Sequence, residues 1–314
     1  MRNPFSYNDG AVDFVFEVAA EKKPDNGEDS YAFFLSQSGG MVAVFDGCGG
    51  SGARRYAKFQ GKTGAYIASR AAAGAAKSWA KEETERGGFP ENEAALKAHI
   101  CRALDICQNR LGETVKFKGK VSRDFPTTMA MMTFEADRSS VKTKCCWVGD
   151  SRCYMLCASG LYQLSEDDLG GIDAMENLTR DGVLRNVISA TGDFDINVNS
   201  LEVTEPCVLF TATDGCFGYL HTPMEFEFLL ESTLLRSASA TQWEDGITGE
   251  LADTAGDDFT LSGVCLNYGS FETLKNALRP RAEYIYERYI TNSRTDPLTQ
   301  WNEYKTEYYK YCKR

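Results

Sequence analysis

The stretch that most constrains this chain is Val42-Ala43-Val44-Phe45-Asp46-Gly47-Cys48-Gly49-Gly50. Four apolar residues bounded by glycines read as a buried strand, and that strand delivers a carboxylate into a turn with almost no side chains. A carboxylate placed there gains nothing from burial and needs a partner. Glycines let backbone carbonyls approach a cation as closely as the carboxylate does, so a metal ion is the natural one. The same design recurs in Cys207-Val208-Leu209-Phe210-Thr211-Ala212-Thr213-Asp214-Gly215-Cys216. Asp-Gly is also the commonest hairpin turn, so the argument rests on the repetition rather than on either copy.

The 314 residues suffice for one large domain or two ordinary ones, and 43% hydrophobic residues are ample for a large core. A net charge of -11 argues against nucleic acid or an anionic membrane as partner and fits a cation-binding protein. No apolar run approaches the length of a membrane span, and Met1-Arg2-Asn3-Pro4-Phe5-Ser6 does not read as a signal peptide. With eleven cysteines and no CxxC pair, the expectation is a cytoplasmic protein with reduced, mostly buried thiols. Only two histidines occur, His99 and His221, which removes mechanisms built on a histidine cluster.

Patterning predicts strands over 12–20, 31–35, 41–45, 127–135, 141–148, 153–157, 196–203, 207–213 and 259–266. An alanine-rich helix is expected over 51–85, with a second, antiparallel to it, over 91–115. Further helices are expected over 224–236 and 241–252, and the tyrosine-rich segment 270–314 has helical spacing. Residues 170–195 are polar, glycine-rich and too long for a bare connector, which marks a functional loop. Strands, two helices, strands and helices again give an α+β layered domain rather than alternating βαβ units. The expected organisation is one domain over 1–268 and a C-terminal helical tail over 269–314, the tail being a candidate for self-association.

Five acidic sites stand at strand ends or in glycine-flanked turns. They are Glu28-Asp29, Asp46, Asp150 in Val148-Gly149-Asp150-Ser151-Arg152, Asp214, and Asp257-Asp258 before Phe259. One aspartate beside a glycine is more often a turn-former, but five sites flanking strands can converge on one edge of a layered sheet. Oxygen donors with few histidines and no thiolate pair select hard cations, Mg2+ or Mn2+. Two such ions bridged by one carboxylate lower the pKa of a shared water and clamp a phosphate.

The order and spacing of these blocks resemble the metal-dependent protein phosphatases of the type 2C family. Glu28-Asp29-Ser30 is similar to the family's Glu-Asp block and Val42 to Gly50 to its aspartate-glycine strand end. Thr127-Thr128 falls where the family has Gly-Thr-Thr, and Gly149-Asp150-Ser151-Arg152 matches its Gly-Asp-Ser-Arg block outright. Thr213-Asp214-Gly215 and Asp257-Asp258-Phe259-Thr260 match its last two blocks. Arg185-Asn186-Val187-Ile188, followed by Ala190-Thr191-Gly192, resembles the segment after the family's flap.

The resemblance implies a four-layer α-β-β-α sandwich, two antiparallel sheets flanked by helical pairs, with metals at one end. It implies that Asp46 bridges two Mn2+ or Mg2+ ions, that the Gly47 carbonyl holds one, and that Asp214 and Asp257 ligate the other. Glu28 and Asp29 complete the shell, Asp29 through water, and Asp150 with Asp214 holds a third, weaker ion. The activity implied is that of a serine/threonine phosphoprotein phosphatase, in which metal-bound water or hydroxide attacks phosphorus in line, with Asp46 and Asp214 at the catalytic centre. Cys48 and Cys216 are then not nucleophiles. The implied partners are a phosphoprotein substrate and the serine/threonine kinase that opposes the enzyme.

The chain departs from the family pattern at four places. Pro24 stands where many relatives carry a phosphate-binding arginine, with Lys22 and Lys23 just upstream as substitutes that lack the bidentate fork. Cys48 stands where eukaryotic members carry a histidine proposed as general acid, a role open to a thiol. Gly218 replaces a further aspartate, and Asp258 replaces the usual asparagine. The complete ligand set favours an active phosphatase. The missing arginine and the lost outer aspartate at Gly218 favour the alternative, a phosphatase-fold signalling or binding module of weak or impaired activity.

Overall fold

The computed structural model describes residues 10–87, 89–90, 92–111, 124–179, 182–292 and 295–312. The chain opens with strands β1 (Val12–Ala20), β2 (Ser30–Leu35) and β3 (Gly39–Phe45). A one-turn helix α1 (Gly49–Gly52), a small hairpin of β4 (Arg55–Tyr56) and β5 (Lys62–Thr63), and two long helices α2 (Gly64–Glu85) and α3 (Glu93–Leu111) follow. Then come β6 (Met129–Ala136), β7 (Val141–Val148), β8 (Arg152–Cys157), β9 (Gly160–Gln163), the short α4 (Ala174–Asn177), β10 (Asn197–Val203) and β11 (Cys207–Ala212). The chain closes with α5 (Pro223–Arg236), α6 (Ala240–Ala252), β12 (Phe259–Leu266), α7 (Phe271–Ile285) and α8 (Pro297–Tyr308).

The strands form two five-stranded antiparallel sheets, ordered β1-β12-β11-β8-β9 and β10-β7-β6-β3-β2. Their inner faces share one core, in which Val42, Val44, Met132, Met155, Leu209 and Val264 meet. Alternate residues of the same strands face outward. Met41, Ala43 and Phe45 pack with Ala68, Ala72, Trp79 and Leu96 of α2 and α3. Phe210, Leu261 and Tyr154 pack with Phe226, Trp243, Leu278 and Trp301 of α5 to α8. Strands covered on both faces explain why this antiparallel fold reads as unbroken apolar runs rather than as alternation, and the four layers are those expected.

The expected helix over 51–85 begins only at Gly64. Thr63 caps it, its hydroxyl accepting from the Tyr66 amide at 3.1 Å. The preceding residues turn back through Gln60 and Gly61, both at positive φ, to make the β4–β5 hairpin. Of the second helix, residues 112–115 lie outside the described residues. The tail is built into the body, where Leu274, Leu278, Ile285, Trp301, Tyr304 and Tyr308 join the outer core of the first sheet. Beneath it lies a buried ion pair, Arg281 Nε to Glu227 Oε1 at 2.7 Å. Among the described residues, no helix is long and apolar enough to cross a membrane.

Candidate metal centre

Antiparallel pairing brings the acidic blocks to one end of the sandwich. The start of β2 pairs with the end of β3, Ser30 opposite Phe45, so Glu28-Asp29 and Asp46 emerge together. Ala212 at the end of β11 lies opposite Arg152 and Leu261, so Asp214 emerges beside Asp150 and Asp257-Asp258. The two sheets are sewn together at this end by Thr127 and Thr128. The Thr127 hydroxyl and the Thr128 amide donate to the Asp46 carbonyl at 2.7 and 2.8 Å, and the Thr128 hydroxyl lies 2.7 Å from that of Ser151. Those bonds fix the Asp46 backbone and leave its carboxylate to the cleft.

The cleft, about 300 Å3, is lined by Glu28, Asp46, Asp150, Asp214, Asp257 and Asp258 with residues 47–51 and Leu184. Among the described residues, six carboxylates line it and no lysine or arginine does. Burial, and then the charges of Asp214, Asp29, Asp150 and Asp257, hold the Asp46 carboxyl well above its ordinary range. Burial and then Asp214 raise Asp150 in the same way. Burial carries Asp29 up to about 7 against the pull of the Thr213 hydroxyl, which donates to it at 2.8 Å. Burial and then Asp257 carry Asp214 up to about 6. Burial raises Glu28 as well, although the Thr63 hydroxyl donates to it.

These features fit a hard cation. Asp150 Oδ1 is buried without a hydrogen-bond partner, and an orphaned acceptor of that kind calls for a cation or water. Gly49 leaves a cradle that a Cβ would fill, at 2.2 Å from Glu28 Oε2. Among the described residues, no group of three or more Asp, Glu, His or Cys side chains is already drawn together closely enough to hold a metal ion. An open ring of this kind suits ions of the Mg2+ class, which keep several waters and take few carboxylates each.

The departures have local explanations. Asp258 accepts from the Lys22 and Glu28 amides, both at 2.7 Å, so it clamps the loop that carries the Glu-Asp block. Gly218 closes a tight turn on the Asp214 carbonyl at 2.6 Å, where a Cβ would come within 2.9 Å of that oxygen. Lys22 Nζ donates to the Ala255 carbonyl at 2.7 Å, Lys23 is exposed, and neither lines the cleft. Cys48 lines it, half-buried. Cys216 is buried, donates to the Thr260 carbonyl at 3.4 Å, and is kept protonated because burial pushes its thiol well up. His221 points to solvent beside Glu225.

Sequence reasoning missed Asp167 and Asp168, which an acidic run before Gly170-Gly171 signals only weakly. Asp168 accepts from the Gly149 amide at 2.9 Å and from Asn186 Nδ2 at 2.8 Å, tying the 170–195 loop to the Gly-Asp-Ser-Arg block. Asp167 takes Arg152 in a two-pronged pair, 2.9 and 2.7 Å, so that arginine holds the loop's base and does not line the cleft. The loop's Leu184 closes one side of the cleft. The tail reaches the same loop. Trp301 Nε1 donates to Asp173 at 3.0 Å, and the Ala174 amide donates to the Tyr309 hydroxyl at 2.8 Å.

The layers and the acid-ringed end define the class, a four-layer sandwich of two antiparallel sheets with a carboxylate cleft at one edge. A family model for protein phosphatase 2C matches residues 19–252, and the chain belongs to that family. No curated protein sequence matches it. Among solved structures it is similar to the serine/threonine phosphatase Stp1 from Staphylococcus aureus, at 17% identity and a TM-score of 0.58, covering 81% of this chain and 94% of that one. It is also similar to the Mycobacterium tuberculosis serine/threonine phosphatase PstP/Ppp, at 16% identity and a TM-score of 0.54, over 81% and 98% of the two chains. A structure of the PstP catalytic domain in complex with two manganese ions matches at 14% identity and a TM-score of 0.50, over 81% and 97%.

Proposed function

We propose that this chain is a metal-dependent serine/threonine phosphoprotein phosphatase working through two Mn2+ or Mg2+ ions. The observation that carries the reading is the cleft lined by six carboxylates and, among the described residues, by no basic side chain. A phosphate dianion is repelled from such a cleft, and only added cations reverse the sign. The manganese bound by the PstP domain supports the choice of ion.

Asp46, on its fixed backbone, would hold both ions, and the Gly47 carbonyl would hold one of them. Asp214 and Asp257 would hold the other, with Glu28 and Asp29 in support. Asp150, with its partnerless buried oxygen and with Asp214 close enough to raise its carboxyl, would hold a third and weaker ion. When bound, the ions supply an acidified water and the positive charge that neutralises the phosphoryl oxygens. Cys48 is the one thiol at the rim able to hand a proton to a leaving alkoxide. Residues 1–268 form the catalytic domain on this reading, with 269–314 as its helical tail. The setting is the cytoplasm, with a phosphoprotein as substrate and its kinase in opposition. That neither Lys22 nor Lys23 lines the cleft is the one observation that favours a weakly active binding module instead.

The test is hydrolysis of p-nitrophenyl phosphate and a phosphothreonine peptide with Mn2+, Mg2+ or chelator, beside Asp46→Asn and Asp214→Asn. The expected outcome is metal-dependent turnover lost about 100-fold or more in both variants, and Cys48→Ser keeping more than a tenth of the activity. A wild type that binds Mn2+ and turns over neither substrate would point to the binding module.

A further inference from the structure

Among the described residues the cleft offers an anionic substrate no lysine or arginine, yet the segment leading away from Asp46 is the most basic in the chain. Residues 47–81 hold seven lysines and arginines and no aspartate or glutamate, in a protein whose net charge is -11. Four of these cations, Arg55, Lys58, Lys62 and Arg70, lie on the β4–β5 hairpin and the first turns of α2. That hairpin is the rim of the cleft. Thr63 donates to Glu28, and residues 49–51 line the cleft directly.

The four cations are held in place by carbonyls and rings rather than by carboxylates. Arg55 donates to the Gly61 carbonyl at 2.9 Å, which clips the hairpin shut. Lys58 donates to the Leu111 carbonyl at 2.8 Å and Lys62 to that of Asp25 at 2.5 Å. Lys62 and Arg70 both lie over the Tyr66 ring, at 4.4 and 3.5 Å, and Arg70 donates to the Gly27 carbonyl at 3.1 Å. Among the described residues, none of the four forms an ion pair, so their charge is ordered and not neutralised. An ordered strip of like charge steers and orients an oppositely charged partner.

We infer that the β4–β5 hairpin and the start of α2 form a docking strip for an acidic segment of the substrate protein. The strip fixes the class of phosphoprotein as one with a run of carboxylates beside its phosphorylated residue. This rests on the phosphatase reading and deepens it. The strip holds the acidic run on the rim, while the phosphate alone enters the carboxylate cleft with its metals.

The experiment compares two phosphothreonine peptides with Mn2+ present, identical except that one carries four glutamates beside the phosphorylated residue and the other four glutamines. Wild type should favour the glutamate peptide about tenfold in kcat/KM, through KM, with the preference shrinking as salt rises from about 0.05 to 0.5 M. The triple variant Arg55→Gln, Lys58→Gln, Lys62→Gln should bring the ratio near one. Lys77→Gln, farther along α2 from the cleft, should leave the ratio as in wild type. Turnover of p-nitrophenyl phosphate without a preference between the peptides would overturn the strip while leaving the phosphatase standing. If wild type turns over nothing, fluorescence anisotropy of the labelled glutamate peptide decides. Tighter binding than the glutamine peptide, lost in the triple variant, supports the strip, and equal binding of both peptides overturns it.

Discussion

The cleft and the interior beneath the C-terminal tail both bury carboxylates, and they do so on opposite terms. Under the tail, Glu227 is fully buried but receives Arg281 in an ion pair and the Tyr304 hydroxyl besides. In the cleft, Asp46, Asp150 and Asp214 are half-buried and crowd one another, with no lysine or arginine among the described lining residues. The first cluster is neutralised by the chain itself and holds the fold together. The second is repulsive as it stands, and its stability depends on what the solution supplies. A crowd of carboxylates left without a cation by the chain therefore marks the site, whereas Glu227 with its arginine marks the scaffold, where Glu231 is a single unpartnered carboxyl.

The comparison breaks first at Arg281. Arg281→Met leaves Glu227 buried without its partner and should cost about 3–5 kcal/mol in urea unfolding. A loss below about 1 kcal/mol would mean the pair is not what holds the tail down. Metal comes second. Saturating the cleft with Mn2+ at about 100 times the dissociation constant should add about 2.7 kcal/mol, measured as a rise in Tm that EDTA reverses. The Arg281 variant should keep that rise, because its lesion is in the other cluster.

The pH dependence has a definite sign. Asp29 and Asp214 ionise near 3.8 when unfolded but near 7 and 6 when folded. The folded state therefore holds protons that the unfolded chain has lost. Their contribution is complete below about pH 4 and disappears as pH rises through 6 to 7. Metal-free protein should melt higher at pH 5 than at pH 7.5, and Mn2+ should recover most of the difference at pH 7.5. A remainder that metal does not recover belongs to carboxyls outside the cleft that burial also raises, Asp13, Asp168, Glu227 and above all Glu231, which is buried with neither carboxylate oxygen partnered.

Asp46→Asn sharpens the contrast at a smaller scale. Removing one charge from a repulsive cluster should stabilise the metal-free protein by roughly 1 kcal/mol while abolishing the Mn2+-dependent rise in Tm. The smallest effect is expected at the link between tail and loop. Trp301→Phe keeps the ring in the core and removes the bond to Asp173, which should cost about 1 kcal/mol. It should also speed amide exchange at residues 173–177 without altering the Mn2+ effect.

What could be read without the structure follows the same division. Strands 12–20, 141–148 and 259–266 have the predicted bounds, because local apolar patterning and the polar residues beyond it both mark their ends. The alanine run extends the predicted helix back over the glycine, arginine and tyrosine before Thr63, whereas the hairpin there depends on the turn residues Gln60 and Gly61. β9 is only four residues long and follows a turn, too short a run for alternation to show. The acidic blocks were legible because each sits beside a strand end that carries its own signal. Thr63 bonding Glu28, Asp167 bonding Arg152 and Trp301 bonding Asp173 are bonds between residues 35, 15 and 128 positions apart. No spacing rule reaches such pairs, and the basic strip matters only because the hairpin sets it on the rim.

The central claim is that the cleft's carboxylates are arranged for divalent cations with Asp46 between them. Calorimetric titration of the metal-free protein with Mn2+ at pH 7.5, in two buffers of different ionisation enthalpy, tests it most directly. The account predicts at least two ions per chain, proton release on binding from carboxyls held above their ordinary range, and loss of both tight sites in Asp46→Asn. No Mn2+ uptake, or the same stoichiometry and affinity in Asp46→Asn, would contradict it.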